Sequence, residues 1–222
     1  MRGDAPPKVT EIRLGESRFS KDLRRYRLAR RLIGHEVRTS IISKWTGLTH
    51  NRIRSLWKAY SGTRANKLVP RHRGKPLRDL RFFLRSSQVQ AESAAIAGLC
   101  MAAGLVPIKR TEKPRDPFPS VSCGETLCAL FDLYCALSSN SDRPLLNMEQ
   151  LILLVTALVR REELLLDTCE KCDGFVLRDR LATPHKRCIY CTTLLKAHAD
   201  ASSPQTGLIH QELRRTQSCS DN

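Results

Sequence analysis

The residues most able to do chemistry lie between positions 169 and 191, which read CEKCDGFVLRDRLATPHKRCIYC. The pattern is Cys169-x2-Cys172, then fifteen residues, then Cys188-x2-Cys191. This spacing falls in the range of four-cysteine zinc sites. Two intervening residues let one tight turn aim both sulfurs of a pair at a single ion. Four thiolates complete a tetrahedron around one Zn2+ and leave no position for water or substrate, so the expected role is structural. Gly174 follows the first pair, where a positive φ is expected, and Phe175-Val176-Leu177 suits a short strand leading away. Lys171, Lys186 and Arg187 offset thiolate charge. His185 is an alternative ligand, although the symmetrical quartet is the simpler set. Four unrelated buried thiols and a redox Cys-x-x-Cys are the competing readings, and two pairs at metal spacing are harder to explain by either. Cys128 and Cys135, seven apart, read as small core residues on one helix face. Cys100 and Cys123 suggest no function, and Cys219 lies in the tail.

A second constellation is basic. Ile41, Ile42 and Trp45 form a short apolar run that Thr46-Gly47-Leu48 interrupts, and Thr49 can then cap a new helix. Ile53, Leu56, Trp57 and Tyr60 follow at i, i+3, i+4 and i+7, which places them on one inward face. Asn51, Arg52, Arg54, Ser55 and Lys58 occupy the other face. The layout is that of the second half of a helix-turn-helix. Its expected DNA contacts are Thr49, Asn51, Arg52, Arg54 and Lys58, with arginines on phosphates or guanine edges and Asn51 on adenine or a phosphate. Many surface helices look similar, so the motif gains weight only from its surroundings.

Those surroundings are strongly charged. The chain carries a net +16, yet residues 1–85 hold 23 Lys/Arg against 6 Asp/Glu, while residues 86–222 hold 15 against 16. Such asymmetry suggests a polyanion-binding region joined to a neutral assembly region. A solvated basic surface kept for solubility is the plainer alternative.

The elements that must position these residues read as mainly helical, because 41% hydrophobic content with only 5% aromatics implies a core of Leu, Ile, Val and Ala. Residues 1–19 read as a flexible leader. Ser20 caps a basic amphipathic helix expected over residues 21 to about 38, with Leu23, Tyr26, Ile33 and Val37 inward. Gly62 is the expected stop of the helix after Thr49, and residues 63–80 a basic loop. Helix resumes near Ser87 with a small-residue stripe of Ala91, Ala94, Ala95, Ala97 and Gly98. Residues 109–122, with three prolines, read as a linker. A helix follows over about 124–137, presenting Leu127, Leu130, Phe131 and Tyr134, and residues 138–144 read as a turn. Asn147 with Gln150 resembles a capping pair that opens an apolar helix expected to run to about residue 166. The resulting division is a leader (1–19), a basic helical DNA-contacting region (20–85), a helical core and partner-assembly region (86–166), a zinc-binding lobe (167–195) and a mobile tail (196–222).

The longest apolar run, residues 151–159, spans nine residues and includes Thr156, against about 20 needed to cross a bilayer. Residues 1–16 have no apolar segment of the signal-peptide kind. A cytoplasmic location is therefore expected, where cysteines serve as ligands or buried thiols rather than disulfides.

Taken together, these residues resemble the flagellar transcriptional activator FlhC family. The resemblance rests on Thr46-Gly47-Leu48-Thr49, Arg52-Ile53, Leu56-Trp57-Lys58, Gly62 and Leu68-Val69-Pro70. It also rests on Cys169-x2-Cys172-Asp-Gly-Phe175 with Cys188-x2-Cys191. It covers about residues 21–191. The resemblance implies a mostly helical protein that binds zinc through the four matching cysteines. It further implies assembly with a smaller FlhD-type subunit into a hetero-hexamer that binds promoter DNA, recruits RNA polymerase and switches on flagellar genes.

Two other classes compete. An RNA- or ribosome-associated zinc-ribbon protein would use the same charge and the same cysteines. RNA recognition usually adds exposed aromatics for stacking, whereas Trp45, Trp57, Tyr26 and Tyr60 fall mainly at apolar-face positions. An enzyme needs an open metal position or a paired acid and base. His35, His50, His72, His185, His198 and His210 are scattered without ligand spacing, and Glu162, Glu163 and Asp167 most simply solvate a helix end, so no enzymatic role is expected.

Overall fold

The computed structural model describes residues 10–63, 72, 74, 78–107, 118–138, 144–161, 163–182 and 187–192. Six α-helices are seen among them: α1 (Thr10–Gly34), α2 (Thr39–Thr46), α3 (His50–Thr63), α4 (Ser87–Ala102), α5 (Val121–Leu137) and α6 (Met148–Arg160). A 3-10 helix (Leu80–Leu84) precedes α4, and an antiparallel hairpin of β1 (Leu164–Thr168) and β2 (Phe175–Asp179) follows α6. The protein is thus mainly helical, with a small cysteine-bearing lobe at its C-terminal side.

The helix starts follow local chemistry. Ser86 and Ser120 cap α4 and α5 through Val89 and Cys123 N–H groups at 3.3 and 3.2 Å. Asn147 and Gln150 form both halves of a capping box, at 2.8 and 2.9 Å. Gly47 ends α2 in the left-handed conformation, φ +69°.

Three boundaries differ from the expectation. The first helix begins at Thr10 rather than Lys21, so the stretch read as leader is helical from there; the single Gly15 costs only about 1 kcal/mol and does not break a helix. It also ends at Gly34, before Arg38. The Glu36 N–H bonds Ile33 O and the Val37 N–H bonds Leu32 O, with Glu36 at φ +61°. That is a Schellman closure, in which buried Val37 packs back towards Leu32. The third difference lies after α6, which stops at Arg160. Arg161 turns left-handed (φ +56°), and the leucines that follow form β1 instead of another helical turn. A short apolar run suits either state, and here the ladder from Leu164↔Asp179 to Thr168↔Phe175 decides it. More modestly, α3 runs through Gly62 to Thr63, and α5 starts at Val121.

One core of buried side chains extends from Leu28 to Leu177, and the cysteine lobe adds a second cluster of Cys169, Val176, Cys188 and Cys191. The change in charge at residue 85 is therefore no break in packing. Gly124 shows how closely α5 meets its neighbours: a Cβ there would lie 2.6 Å from Leu28 Cδ2 and 3.1 Å from Trp45. In the stripe on α4, Ala94, Ala97 and Gly98 are buried, Ala91 is half-buried and Ala95 is exposed. Phe175 of β2 lies over Gly98, where even a methyl group would overlap its ring, and the Gln90 amide donates to Leu177 O at 2.6 Å. These contacts dock the hairpin on α4.

Candidate metal centre and basic helix face

The hairpin loop carries the first pair of cysteines. Cys169 N–H donates to Gly174 O at 2.8 Å and Asp173 N–H to Cys169 O at 3.0 Å, which folds the loop into a knuckle. The left-handed residue in it is Asp173 (φ +55°), not Gly174 as expected; aspartate is among the residues that tolerate this region. Gly174 answers a different demand, since a Cβ there would press to 3.3 Å from Cys172 Sγ. The second pair sits on a helical turn over residues 188–192, where Thr192 N–H bonds Cys188 O at 3.0 Å.

Folding brings all four cysteines together. Their sulfurs lie within 4.8 Å of one another, and Cys172 and Cys188 are 3.6 Å apart. Zinc–sulfur bonds of about 2.3 Å in a tetrahedron require sulfurs roughly 3.8 Å apart, so the quartet fits such an ion. Cys169, Cys188 and Cys191 are buried, and Cys172 is exposed. Backbone donors already favour negative charge: Cys188 N–H reaches Cys169 Sγ at 3.2 Å, and Cys191 N–H reaches Cys188 Sγ at 3.4 Å. The Cys188 donor, with those of Lys171 and Cys172, pulls the Cys169 thiol down to about 6. Hydrogen bonds to Cys172 and Cys188 push Cys191 up to about 12, because adjacent thiols share protons rather than ionise together. A divalent cation removes that conflict by stabilising every thiolate at once. Among the described residues, this quartet is the one cluster able to hold a metal ion.

The remaining cysteines behave as core. Cys100 and Cys128 are fully buried, and burial pushes both thiols up to about 12. Cys123 is also buried, and Cys135 is half-buried, its thiol raised by burial. Lys186, His185 and Cys219 lie outside the described residues.

The α2–α3 junction is built by its own side chains. Thr46 Oγ1 donates to Ile42 O at 2.7 Å and accepts from Leu48 N–H at 3.2 Å, while Ser43 Oγ donates to Leu48 O at 2.8 Å. Thr49 accepts from Arg52 N–H at 3.4 Å. Ile53 and Trp57 are buried, and Leu56 and Tyr60 are half-buried, as their spacing predicts. Thr49, Asn51, Arg52, Arg54 and Lys58 are all exposed, and Arg54 reaches Asn51 Oδ1 at 3.3 Å. The residues named as DNA contacts are thus all open to solvent.

Comparison with protein-family models and with curated proteins gives no match. The geometry of the site must carry its own reading.

Two features of this half were not foreseen. Part of the charge on α1 is spent on packing: Arg24 pairs with Glu125 and Arg31 with Asp132, both at 2.5 Å, and His35 meets Asp132 at 3.0 Å. The second is a buried ion pair at the start of α2. Glu149, the second residue of α6, accepts from the Arg38 backbone N–H at 2.6 Å and from its guanidinium. Arg38 is the N-cap of α2 and its side chain makes no capping bond; its own backbone N–H is taken by a carboxylate 111 positions away. No spacing rule links residues that far apart. Of the other histidines, His72 meets Glu36 at 3.2 Å and His50 is exposed, while His198 and His210 lie outside the described residues. Glu163 is exposed and Asp167 pairs with Arg178, while Glu162 lies outside the described residues. Among the described residues, no helix is long and apolar enough to cross a membrane.

Proposed function

We propose that this protein is a zinc-containing transcriptional activator that places α3 against promoter DNA. The observation that carries the reading is the outward face of α3, where Asn51, Arg52, Arg54 and Lys58 stand exposed while Ile53 and Trp57 anchor the opposite side. A Gly47 turn and the preceding α2 support that helix as they would in a helix-turn-helix. The concentration of positive charge in residues 1–85 supports a polyanionic partner. In this reading the cysteine quartet holds one structural Zn2+ and has no catalytic part, since four thiolates leave no open position.

The resemblance to the FlhC family supplies the rest: an FlhD-type partner in a hetero-hexamer, recruitment of RNA polymerase, flagellar target genes and a cytoplasmic setting. The near-neutral balance of residues 86–222 is consistent with an assembly region. Pull-down at native expression tests that partner, and recovery of the chain alone counts against it.

The DNA reading is tested by mobility shift of the zinc-loaded chain on duplex DNA. Replacing Arg52 and Arg54 by Ala removes two phosphate or base contacts and should lower the salt slope by roughly 2, at about 0.9 per phosphate. Unchanged affinity and slope would exclude α3 as the contact. Single-stranded RNA that displaces the duplex at equal concentration would favour the RNA-associated alternative. Burial of Trp45 and Trp57 weighs against it, because neither ring is free to stack on bases.

A further inference from the structure

The six basic side chains between Arg24 and His35 divide sharply by partner. Arg24, Arg25, Arg31 and His35 each face a carboxylate: Glu125, Asp22 and, for the last two, Asp132. Arg27 and Arg30 have no carboxylate among the described residues, and both line the same concavity between α1, α3 and α5. Its volume is about 560 Å³, within the range of small-ligand sites.

The walls are chemically definite. Asp132 is engaged on one side by Arg31 and His35, so its charge is answered within the wall. Burial, opposed by Asp132 and aided by Arg31, lowers the His35 pKa and so favours the neutral imidazole. Arg27 and Arg30 are the lining cations left without a carboxylate among the described residues. Two guanidiniums three residues apart on a helix repel one another, and an anion between them relieves that repulsion. Arginine presents a planar donor fork matched to phosphate oxygens. The positions of the neighbouring groups are fixed as well: the His35 ring meets Phe131 edge-on at 5.0 Å, and the Tyr60 hydroxyl lies over Gly34, where a Cβ would be 3.2 Å away.

We propose that this concavity is a phosphate-binding site for a small molecule of about nucleotide size, with Arg27 and Arg30 clasping the phosphate oxygens and Tyr60 forming the wall beside the rest of the ligand. The inference stands on the cavity and its charges alone and does not depend on the DNA reading.

Isothermal titration of the zinc-loaded full chain tests it, with ATP, inorganic pyrophosphate and adenosine as probes. ATP should bind one-to-one, pyrophosphate should compete, and adenosine should give no heat. R27Q/R30Q should weaken ATP binding at least about ten-fold, the scale of losing two charge-assisted contacts, with an unchanged melting temperature because both side chains are exposed. R25Q, on the same helix but outside the cavity, should leave binding as it was. So should R52A/R54A. Absence of saturable binding by both ATP and pyrophosphate at millimolar concentration would overturn the proposal. So would an equal loss in R25Q or R52A/R54A, which would reveal diffuse attraction to a basic surface.

Discussion

Replacing Glu149 by Ala tests the buried ion pair between the start of α2 and the start of α6. The side chains of Glu149 and Arg38 are only 8% and 18% exposed, so neither charge is well screened by water. Truncation removes the acceptor for two donors at once, the Arg38 backbone N–H and its guanidinium. The Arg38 Nε is already buried without a partner, so the stranded cation has no second acceptor at hand. Breaking a buried pair from one side costs about 3–5 kcal/mol. For a chain of this size that corresponds to a fall of roughly 6–20 °C in melting temperature. Calorimetry measures it, and hydrogen exchange locates it: amides near the start of α2 should exchange faster in the variant. The double variant R38M/E149M should recover most of the loss, because it removes both charges and fills the space. A loss below about 1 kcal/mol in E149A would refute the reasoning, since it would mean that water reaches the pair. A large loss without faster exchange in α2 would refute the anchoring of the α2 start alone.

Other outcomes follow from the same structure. C172S should release the metal ion and leave the hairpin lobe unfolded, as read by elemental analysis and near-UV dichroism; retention of one zinc per chain would show that three sulfurs suffice. G98V should drive the Phe175 ring off α4 and cost about 1–3 kcal/mol as an overpacked contact, with increased proteolysis of the lobe as the local readout. His35, whose pKa is lowered in the folded chain, binds its proton more readily when unfolded, so it contributes stability that is lost as pH falls through the ordinary histidine range. H35Q should flatten the stability profile below about pH 6.5, and an unchanged slope would mean that Asp132 already holds His35 protonated.

Several elements of this protein were determined by the chain locally. A capping box needs only Asn147 and Gln150, and the inward face of α3 needs only the spacing of Ile53 and Trp57, because both act within one or two turns. The cysteine quartet belongs here as well: each pair is a local turn, so type and spacing announced which four sulfurs would meet. Tertiary structure decided the rest. The leucines after Arg160 became β1 because β2 lay alongside with open backbone groups, which periodicity within the run does not register. Which arginines of α1 stay open depends on where Glu125 and Asp132 of α5 arrive, and so the cavity at Arg27 and Arg30 has no signature in the helix alone. Glu149 pairing with Arg38 is the extreme case. Contacts between distant residues are selected by how whole helices pack, and a single segment carries no record of its neighbour.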